Sequence, residues 1–235
     1  MRRSSTPRNW KYALQLTLLG IAQMALATQA PAWAWLLLWS GASWFIAGLA
    51  YALDRPHIFG KKPDGTMSPW PKIALLPYLL VTWLLWLCQT RLTREAPADE
   101  ILPDLWLGRR MTSKTIPQGV TLVVDLTAEF SEPADVLQGR KYLCVPALDA
   151  AAPRADLFAD AVKRIVDHDG GALVHCALGH GRSATLVAGV LMAKGLAADP
   201  GEAEQMIQRC RPAAALNRLQ KRFLEGIHDT MAGDR

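Results

Sequence analysis

The sequence contains few of the residues that build metal sites or disulfide frameworks. Its four cysteines, Cys88, Cys144, Cys176 and Cys210, show neither the paired spacing of disulfide-rich proteins nor that of zinc sites. Charged residues make up only 20% of the chain, and the net charge of +5 is too small to indicate a nucleic-acid partner, although it suits an anionic surface or substrate. Internal repeats and low-complexity tracts are lacking as well. The function must therefore be sought in local motifs.

Charge is missing altogether from long apolar runs in the first ninety residues. Residues 31–53 and 73–90 carry no charged side chain, and residues 12–28 are apolar apart from two glutamines and two threonines. A helix needs about 20 apolar residues to cross a bilayer. Eight of the nine tryptophans precede residue 90, as expected for side chains near a membrane interface. We therefore predict a membrane region at residues 1–90 with two or three apolar helices.

Basic residues around these runs predict the orientation, since cytoplasmic loops carry an excess of Lys and Arg. The first two runs are predicted to form a helical hairpin, and a secretory signal peptide is the alternative for the first. Pro77 and the basic residues after the third run favour a third segment that lies along the interface over one that spans. The expectation is a multi-pass protein of a bacterial-type inner membrane with a cytoplasmic C-terminal domain. The basic residues before the first run are Arg2, Arg3, Arg8 and Lys11, and those between the second and third runs are Arg55, Lys61, Lys62 and Lys72.

The remainder of the chain alternates short apolar strands with amphipathic helices. We predict a charged linker at residues 91–100 and a domain at residues 101–232. This alternation predicts an α/β fold with a mainly parallel central sheet flanked by helices. Functional side chains are expected at the carboxyl ends of its central strands. The predicted strands are 105–108, 121–125, 142–145 and 172–175, and the predicted helices are 156–167, 183–194, 201–209 and 217–231.

One stretch of this domain, HCALGHGRS at residues 175–183, joins a predicted strand to a predicted helix. Successive backbone N–H groups of a loop that feeds a helix N-terminus point inward and bind an oxyanion. Gly179 and Gly181 allow the backbone to curl without a Cβ clash. Cys176 stands at the base of this loop, where the positive field favours the thiolate, the nucleophilic form of a cysteine. The stretch therefore predicts a phosphate cradle built around a nucleophile.

Arg182 and Ser183 complete the predicted site. The planar guanidinium of Arg182 can grip two phosphate oxygens at once, and Ser183 can hydrogen-bond the thiolate as it leaves. No metal or other cofactor is required, because loop amides and Arg182 supply the charge stabilisation that a cation supplies elsewhere. Cys144 and Cys210 are either small buried side chains or partners for a reversible disulfide with Cys176. The predicted phosphate-binding residues are Ala177, Leu178, Gly179, His180 and Gly181.

These residues resemble the signature of the cysteine-dependent protein tyrosine phosphatase superfamily, HC-x5-R-[ST], and most closely its compact dual-specificity branch. The resemblance covers about residues 97–230 and implies a cysteinyl-phosphate intermediate on Cys176. It also implies that His175 supports the loop and that Asp125 is structural. His180 either adds positive charge for an acidic substrate or points away from the cradle. The stretch 211–220 is similar to a family segment in which Gln or Asn orders water, and helix capping by Asn217 is the competing interpretation.

A phosphatase of this kind also needs a proton donor for the leaving oxygen. The family supplies it from an Asp on a separate loop upstream of the cysteine. Asp149 follows a predicted strand and opens a loop of small residues, as the family acid does. Asp156 is the alternative, but it stands at the start of a predicted helix, where an acidic residue is expected anyway. The resemblance therefore favours Asp149 and leaves Asp156 open.

The resemblance implies a membrane-attached phosphomonoester hydrolase and leaves its substrate open. The layout is similar to the phosphatidylglycerophosphate phosphatase branch of the superfamily, which favours a phospholipid headgroup. Leu178 occupies a position where phosphoinositide enzymes often carry Lys, which argues against an inositol lipid. The alternatives are a dual-specificity phosphoprotein phosphatase and an inactive phosphate-binding adaptor. The expected partners are a membrane and a phosphorylated lipid or phosphoprotein, with no nucleic acid.

Overall fold

The structure is a computed structural model of the chain that describes residues 9–29 and 32–233, with side chains up to residue 227. Arg2, Arg3 and Arg8 of the predicted N-terminal basic group lie outside the described residues. The chain forms two compact units. The first comprises residues 9–62 and 66–94, and the second comprises residues 63–65 and 95–233.

The first unit is helical and packs through small residues. Helices α1 and α2 approach so closely that a Cβ added at Gly41 would lie 2.8 Å from the carbonyl oxygen of Gly20. The buried Ser43 hydroxyl accepts a hydrogen bond of 3.1 Å from the N–H of Tyr78, in the first turn of α4 where N–H groups lack helical partners. The helices are α1 (Trp10–Ala27), α2 (Ala34–Leu53), α3 (Pro69–Ala74) and α4 (Leu76–Leu92), with a 3₁₀ turn at Pro56–Phe59.

Many large apolar side chains of this unit lie on its outside. Trp35 of α2 is 65% exposed, and Leu84 and Leu85 of α4 are each 58% exposed. In the described part of the second unit, Leu196 is the one large apolar side chain with comparable exposure. Phe59, Leu75 and Leu79 are buried inside the unit, but so many exposed Leu and Trp side chains are unusual on a water-soluble domain. The first unit thus presents a surface that suits an apolar environment.

Among the described helices, α2 alone has both the length and the composition needed to cross a membrane. It has 20 residues, and its most apolar stretch has a mean hydropathy of 1.6. Helix α1 contains Lys11 and two glutamines, and α4 has 17 residues and ends just after Arg91. The expectation of a multi-pass protein is therefore not supported, since polar residues shorten the apolar part of α1 and α4.

The second unit is built on a five-stranded sheet with the strand order β1-β2-β5-β3-β4. Strands β1 and β2 are antiparallel, and every other neighbouring pair is parallel. The sheet confirms the predicted α/β fold with a mainly parallel central sheet flanked by helices. The strands are β1 (Ala98–Leu102), β2 (Leu105–Arg109), β3 (Val120–Thr127), β4 (Lys141–Ala147) and β5 (Gly171–Cys176).

Strand β5 and helix α7 form the centre of this unit. Every residue of β5 is buried, and so are ten consecutive residues of α7, which packs against α6, α8 and α9. The loop between β5 and α7 is therefore anchored in the core at both ends. The helices are α5 (Ala134–Leu137), α6 (Ala155–Val166), α7 (Arg182–Ala193), α8 (Pro200–Cys210) and α9 (Arg218–Gly233).

All eight elements predicted for this domain are present, with bounds that shift by at most two residues. Strand β1 was missed, because its sequence ADEIL carries two acidic residues and an edge strand pairs on one side only. It begins at Ala98, inside the predicted linker 91–100. The unit itself begins at Glu95.

The strand order excludes a disulfide between Cys144 and Cys176. Cys144 lies on β4 and Cys176 on β5, with β3 between them. Two strand spacings of about 4.8 Å separate their Cα atoms by roughly 9–10 Å, whereas a disulfide needs less than about 7 Å. Cys144 is half-buried in the sheet, and Cys210 is exposed at the end of α8.

Candidate active site

The loop at residues 177–181 curls around the sulfur of Cys176. The N–H of Gly179 donates to Sγ at 3.3 Å, and the hydroxyl of Ser183 donates to it at 3.2 Å. Gly179 has a φ of +77°, and a Cβ there would lie 2.6 Å from the carbonyl oxygen of Gly108, so only glycine fits this turn. Cys176 is 4% exposed. Two donors thus point at a buried sulfur and stabilise negative charge on it.

Arg182 begins α7 and is fixed by a buried carboxylate. Its Nη1 and Nη2 donate to the two oxygens of Glu129 at 2.9 and 2.7 Å, and Nη1 also donates to the carbonyl of Ala147 at 3.0 Å. Burial alone would lower the pKa of Arg182, but the charges of Glu129 and Asp149 hold that pKa well above its usual value. Its Nε has no hydrogen-bond partner among the described residues. Arg182 is therefore a fixed cation that retains a donor for an anion.

Glu129 is a site residue that the sequence analysis missed. It lies two residues beyond the end of β3, at the carboxyl edge of the sheet where functional side chains are expected. Its Oε2 also accepts the N–H of Ala128 at 2.9 Å, which fixes the carboxylate. An acidic residue directly after a buried central strand was the signal that could have identified it.

Asp149 lies beside this arginine, and Asp156 has another partner. The Oδ1 of Asp149 is 3.4 Å from Nη2 of Arg182, and the Asp149 side chain is 63% exposed. Asp156 forms an ion pair with Arg154 on the exposed first turn of α6. The structure thus places Asp149 at the candidate site with access to solvent, while Asp156 has the local partner that its helix position predicted.

A buried group of polar side chains lies next to the nucleophile. Ligand-type atoms of Asp125, Glu132 and His175 lie within 4.8 Å of one another, and these are the described residues that could hold a metal ion. Asp125 accepts hydrogen bonds from Thr127 N–H and Oγ1, both at 2.7 Å, and from the hydroxyl of Tyr142 at 2.9 Å. Burial and then the charge of Asp125 raise the pKa of Tyr142, which keeps its hydroxyl a donor. These bonds fit the expected structural role of Asp125.

His175 and His180 each have a polar neighbour, and the supporting role of His175 stays a prediction. His175 Nδ1 lies 3.4 Å from the carbonyl oxygen of Cys176. His180 Nε2 lies 2.7 Å from Oε2 of Glu95, so its side chain pairs with a carboxylate of the same unit. Burial alone would raise the pKa of Glu95, but His180 and Arg211 lower it below its usual value. Glu95 therefore stays ionised, and sequence reasoning had assigned it to the linker.

The remaining loop residues act through their backbones. The carbonyl of Ala177 accepts the N–H of Arg110 at 3.2 Å, and the carbonyls of Leu178 and Gly179 accept from Arg211. The carbonyl of Gly181 accepts the N–H of Thr185 as the first bond of α7. Because the N–H and C=O groups of a peptide unit point in opposite directions, carbonyls bound on the outside of the loop are compatible with N–H groups that face inward.

Asn217 and Gln220 lie in the stretch that resembled the water-ordering segment. The Oδ1 of Asn217 accepts the N–H groups of Leu219 and Gln220 at 2.9 and 3.0 Å, so it caps α9 as one interpretation predicted. Gln220 is buried, and its Nε2 would lie 3.2 Å from a Cβ added at Gly181. The segment thus both caps a helix and borders the phosphate loop.

Comparison with known proteins identifies relatives of this arrangement. Residues 109–228 match the PTP-SAK family, described as the DSP-PTPase phosphatase domain of Swiss Army Knife proteins. The crystal structure of PTPMT1 is similar with a TM-score of 0.53 and 20% identity, covering 58% of this chain and 97% of that chain. No curated protein sequence matches the chain significantly.

Two human structures share the fold as well. A single-residue variant of human DUSP28 is 26% identical with a TM-score of 0.52, covering 60% of this chain and 100% of that chain. The tyrosine phosphatase-like serine/threonine/tyrosine-interacting protein is 22% identical with a TM-score of 0.52, covering 59% of this chain and 99% of that chain. The sheet, the loop and the helix that follows therefore belong to a fold shared with solved cysteine-phosphatase structures.

Replacing Glu129 with Gln is expected to weaken anion binding, because Arg182 loses the charged partner that orients it. We expect the Kd of inorganic vanadate, a phosphate analogue, to rise about thirty-fold, equivalent to about 2 kcal/mol for a charged hydrogen bond. Calorimetric titration of the full chain measures this. Asp160→Asn removes an exposed ion pair with Arg164 and serves as the control that leaves the Kd unchanged. An unchanged Kd in Glu129→Gln would contradict the assignment.

Proposed function

Because the chain belongs to the PTP-SAK family of DSP-PTPase phosphatase domains, we propose that it hydrolyses phosphate monoesters through a cysteinyl-phosphate on Cys176. One observation carries the proposal. A buried sulfur that accepts two hydrogen bonds, a buried arginine and an exposed carboxylate meet around one loop. An inactive adaptor would not need all three groups, so their joint presence favours an enzyme.

In the first step, the thiolate of Cys176 attacks phosphorus in line with the leaving oxygen. The sulfur–phosphorus bond forms as the phosphorus–oxygen bond breaks. Asp149 gives its proton to the leaving oxygen, which departs as an alcohol. The N–H groups of residues 177–181 and the guanidinium of Arg182 stabilise the charge on the three other phosphate oxygens.

In the second step, a water molecule attacks the phosphorus of the cysteinyl-phosphate. The Asp149 carboxylate formed in the first step takes the proton of this water. The phosphorus–sulfur bond breaks, and inorganic phosphate leaves. The Ser183 hydroxyl, 3.2 Å from the sulfur, stabilises the departing thiolate by hydrogen bonding. The enzyme then returns to its starting protonation state.

We further propose that the first unit attaches the enzyme to a membrane. Support comes from α2, which meets the length and composition requirement, and from the exposed Leu and Trp side chains of the unit. Arg55, Lys61, Lys62 and Lys72 follow α2 and favour the cytoplasmic side for that end of the helix. A reducing compartment also suits a catalytic thiolate, so we assign the second unit to the cytoplasm.

A membrane-attached phosphatase of this kind is best suited to a phospholipid headgroup. The loop after Asp149 consists of Ala150, Ala151 and Ala152, which add no bulky side chain beside the site. One structure of similar fold is PTPMT1 in complex with PI(5)P, at 19% identity and a TM-score of 0.54. Leu178 lacks the charge that an inositol phosphate would attract, so we propose a headgroup other than inositol. A dual-specificity phosphoprotein phosphatase is the second candidate, supported by the fold shared with the human DUSP28 variant.

The full chain in detergent micelles is expected to release phosphate from phosphatidylglycerophosphate faster than from phosphotyrosine or phosphoserine peptides. Cys176→Ser is the control and should release none from either, because a serine hydroxyl without a base is a weak nucleophile. Colorimetric detection of inorganic phosphate measures both. Faster release from peptides would favour the phosphoprotein alternative and contradict the lipid assignment. No release from any substrate by the wild-type chain would contradict the hydrolase proposal itself.

Asp149→Asn is expected to lower kcat by about 10²–10⁴-fold, the usual contribution of a positioned general acid. Vanadate should bind at least as tightly, since Asn keeps the shape and removes a negative charge beside Arg182. Steady-state kinetics and a vanadate titration measure the two effects. Asp156→Asn is the matched control and should turn over normally. Full turnover by Asp149→Asn would show that another residue is the general acid.

A further inference from the structure

The connection between α8 and α9, residues 211–217, contacts both loops of the candidate site. We propose that this connection sets the position of the acid loop (residues 149–152) relative to the phosphate loop (residues 177–181). Arg211 and Asn217 are its positioning residues. The inference rests on the proposed function, because it concerns the geometry of Asp149 and Cys176. Neither positioning residue contacts the reacting atoms.

Arg211 holds the outer side of the phosphate loop. It is 1% exposed, and it donates from Nε to the carbonyl of Gly179 at 2.9 Å and from Nη2 to the carbonyl of Leu178 at 3.0 Å. The N–H of Ala215 donates to the next carbonyl, that of His180, at 3.1 Å. Three successive carbonyls thus receive donors from one short segment. A buried carbonyl needs such a partner, so these bonds stabilise the curled shape of the loop.

Arg211 is itself held by residues 95–99, a segment that includes the start of β1. Its Nη1 donates to Asp99 at 2.7 Å and to the carbonyl of Ala96 at 3.1 Å, and its Nη2 lies 3.4 Å from Glu95. Two carboxylates balance the buried charge, without which burying a guanidinium is costly. The planar guanidinium of Arg211 has five donors and binds two loop carbonyls and this segment at the same time. A lysine ammonium cannot do this.

Asn217 holds the acid loop at the other end of the connection. Its Nδ2 donates to the carbonyl of Ala150 at 2.8 Å, and Gln220 donates to the carbonyl of Ala151 at 3.3 Å. Ala150 has a φ of +55°, a left-handed conformation that a non-glycine residue keeps only when its surroundings hold it. Ala150 directly follows Asp149, so this bond determines the direction in which the acid points.

The connection between these two ends is itself braced. Glu204 accepts the N–H of Leu216 at 2.6 Å, and Gln208 donates to the carbonyl of Ala214 at 2.9 Å, so α8 holds the segment along its length. Asn217 is bound at the same time to α9 as its cap. The separation between the nucleophile and the acid is therefore fixed by hydrogen bonds, and an error of about 1 Å in such a separation costs about 10²-fold in rate.

Asn217→Ser tests the acid-loop end. Serine keeps a cap oxygen for α9 but removes the donor to Ala150. Phenyl phosphate has a poor leaving group that depends on the acid, whereas p-nitrophenyl phosphate depends on it little. We expect kcat for phenyl phosphate to fall about tenfold more than kcat for p-nitrophenyl phosphate. Asp199→Ser changes the cap of α8 in the same manner without touching either loop, and it should leave both rates unchanged.

Arg211→Lys tests the phosphate-loop end. We expect the Kd of vanadate to rise about tenfold while the ratio of the two aryl phosphate rates stays at its wild-type value. Thermal unfolding identifies a variant that fails to fold. If Arg211→Lys does not fold, Asn217→Ser alone provides the test. An equal fall in both rates for Asn217→Ser, or no change, overturns the inference. A wild-type chain inactive on both aryl phosphates and on phosphatidylglycerophosphate would instead refute the proposed function.

Discussion

The phosphate loop at residues 177–181 turns the N–H of Gly179 toward the sulfur of Cys176, and its carbonyl groups are bound by other residues of the second unit. Arg110 binds the first of them, Arg211 the next two and Ala215 the fourth. The buried strand β5 and the buried helix α7 hold the two ends of the loop in the core. Bonds to these carbonyls fix the backbone of the loop, and donors fixed in this way are the condition for electrostatic stabilisation of a phosphate.

Two buried guanidinium groups lie on opposite sides of this loop. Arg182 lies on the inner side, fixed by Glu129, and Arg211 lies on the outer side, fixed by Asp99 and Glu95. A buried cation is stabilising only when its charge and its donors find partners, and each of these arginines has carboxylate and carbonyl partners at hydrogen-bond distance. The acid loop joins the same network, since Asp149 contacts Arg182 and its neighbour Ala150 is bound by Asn217.

The sequence was sufficient to predict the motif and the fold but not the network around them. Glycines, a cysteine, an arginine and a serine at fixed offsets are local signals, and the alternation of strands and helices follows from local periodicity. Glu129, Glu95 and Arg211 were missed because their partners lie far away in sequence; Arg211 and Asp99 are 112 positions apart. The choice between Asp149 and Asp156 also depended on a tertiary distance, that to Arg182. Composition located the apolar runs before residue 90, but only the helix bounds showed that α2 is the one helix among the described residues that meets the requirement for a span.

The central claim is that Cys176 forms a bond to phosphorus during turnover. Rapid acid quenching of the full chain with a phosphate monoester, followed by proteolysis and mass spectrometry, tests it directly. We expect one added phosphoryl group on the peptide that contains Cys176, formed at least as fast as inorganic phosphate is released and lost on longer incubation. Steady release of phosphate while that peptide stays unmodified would show that Cys176 is not the nucleophile.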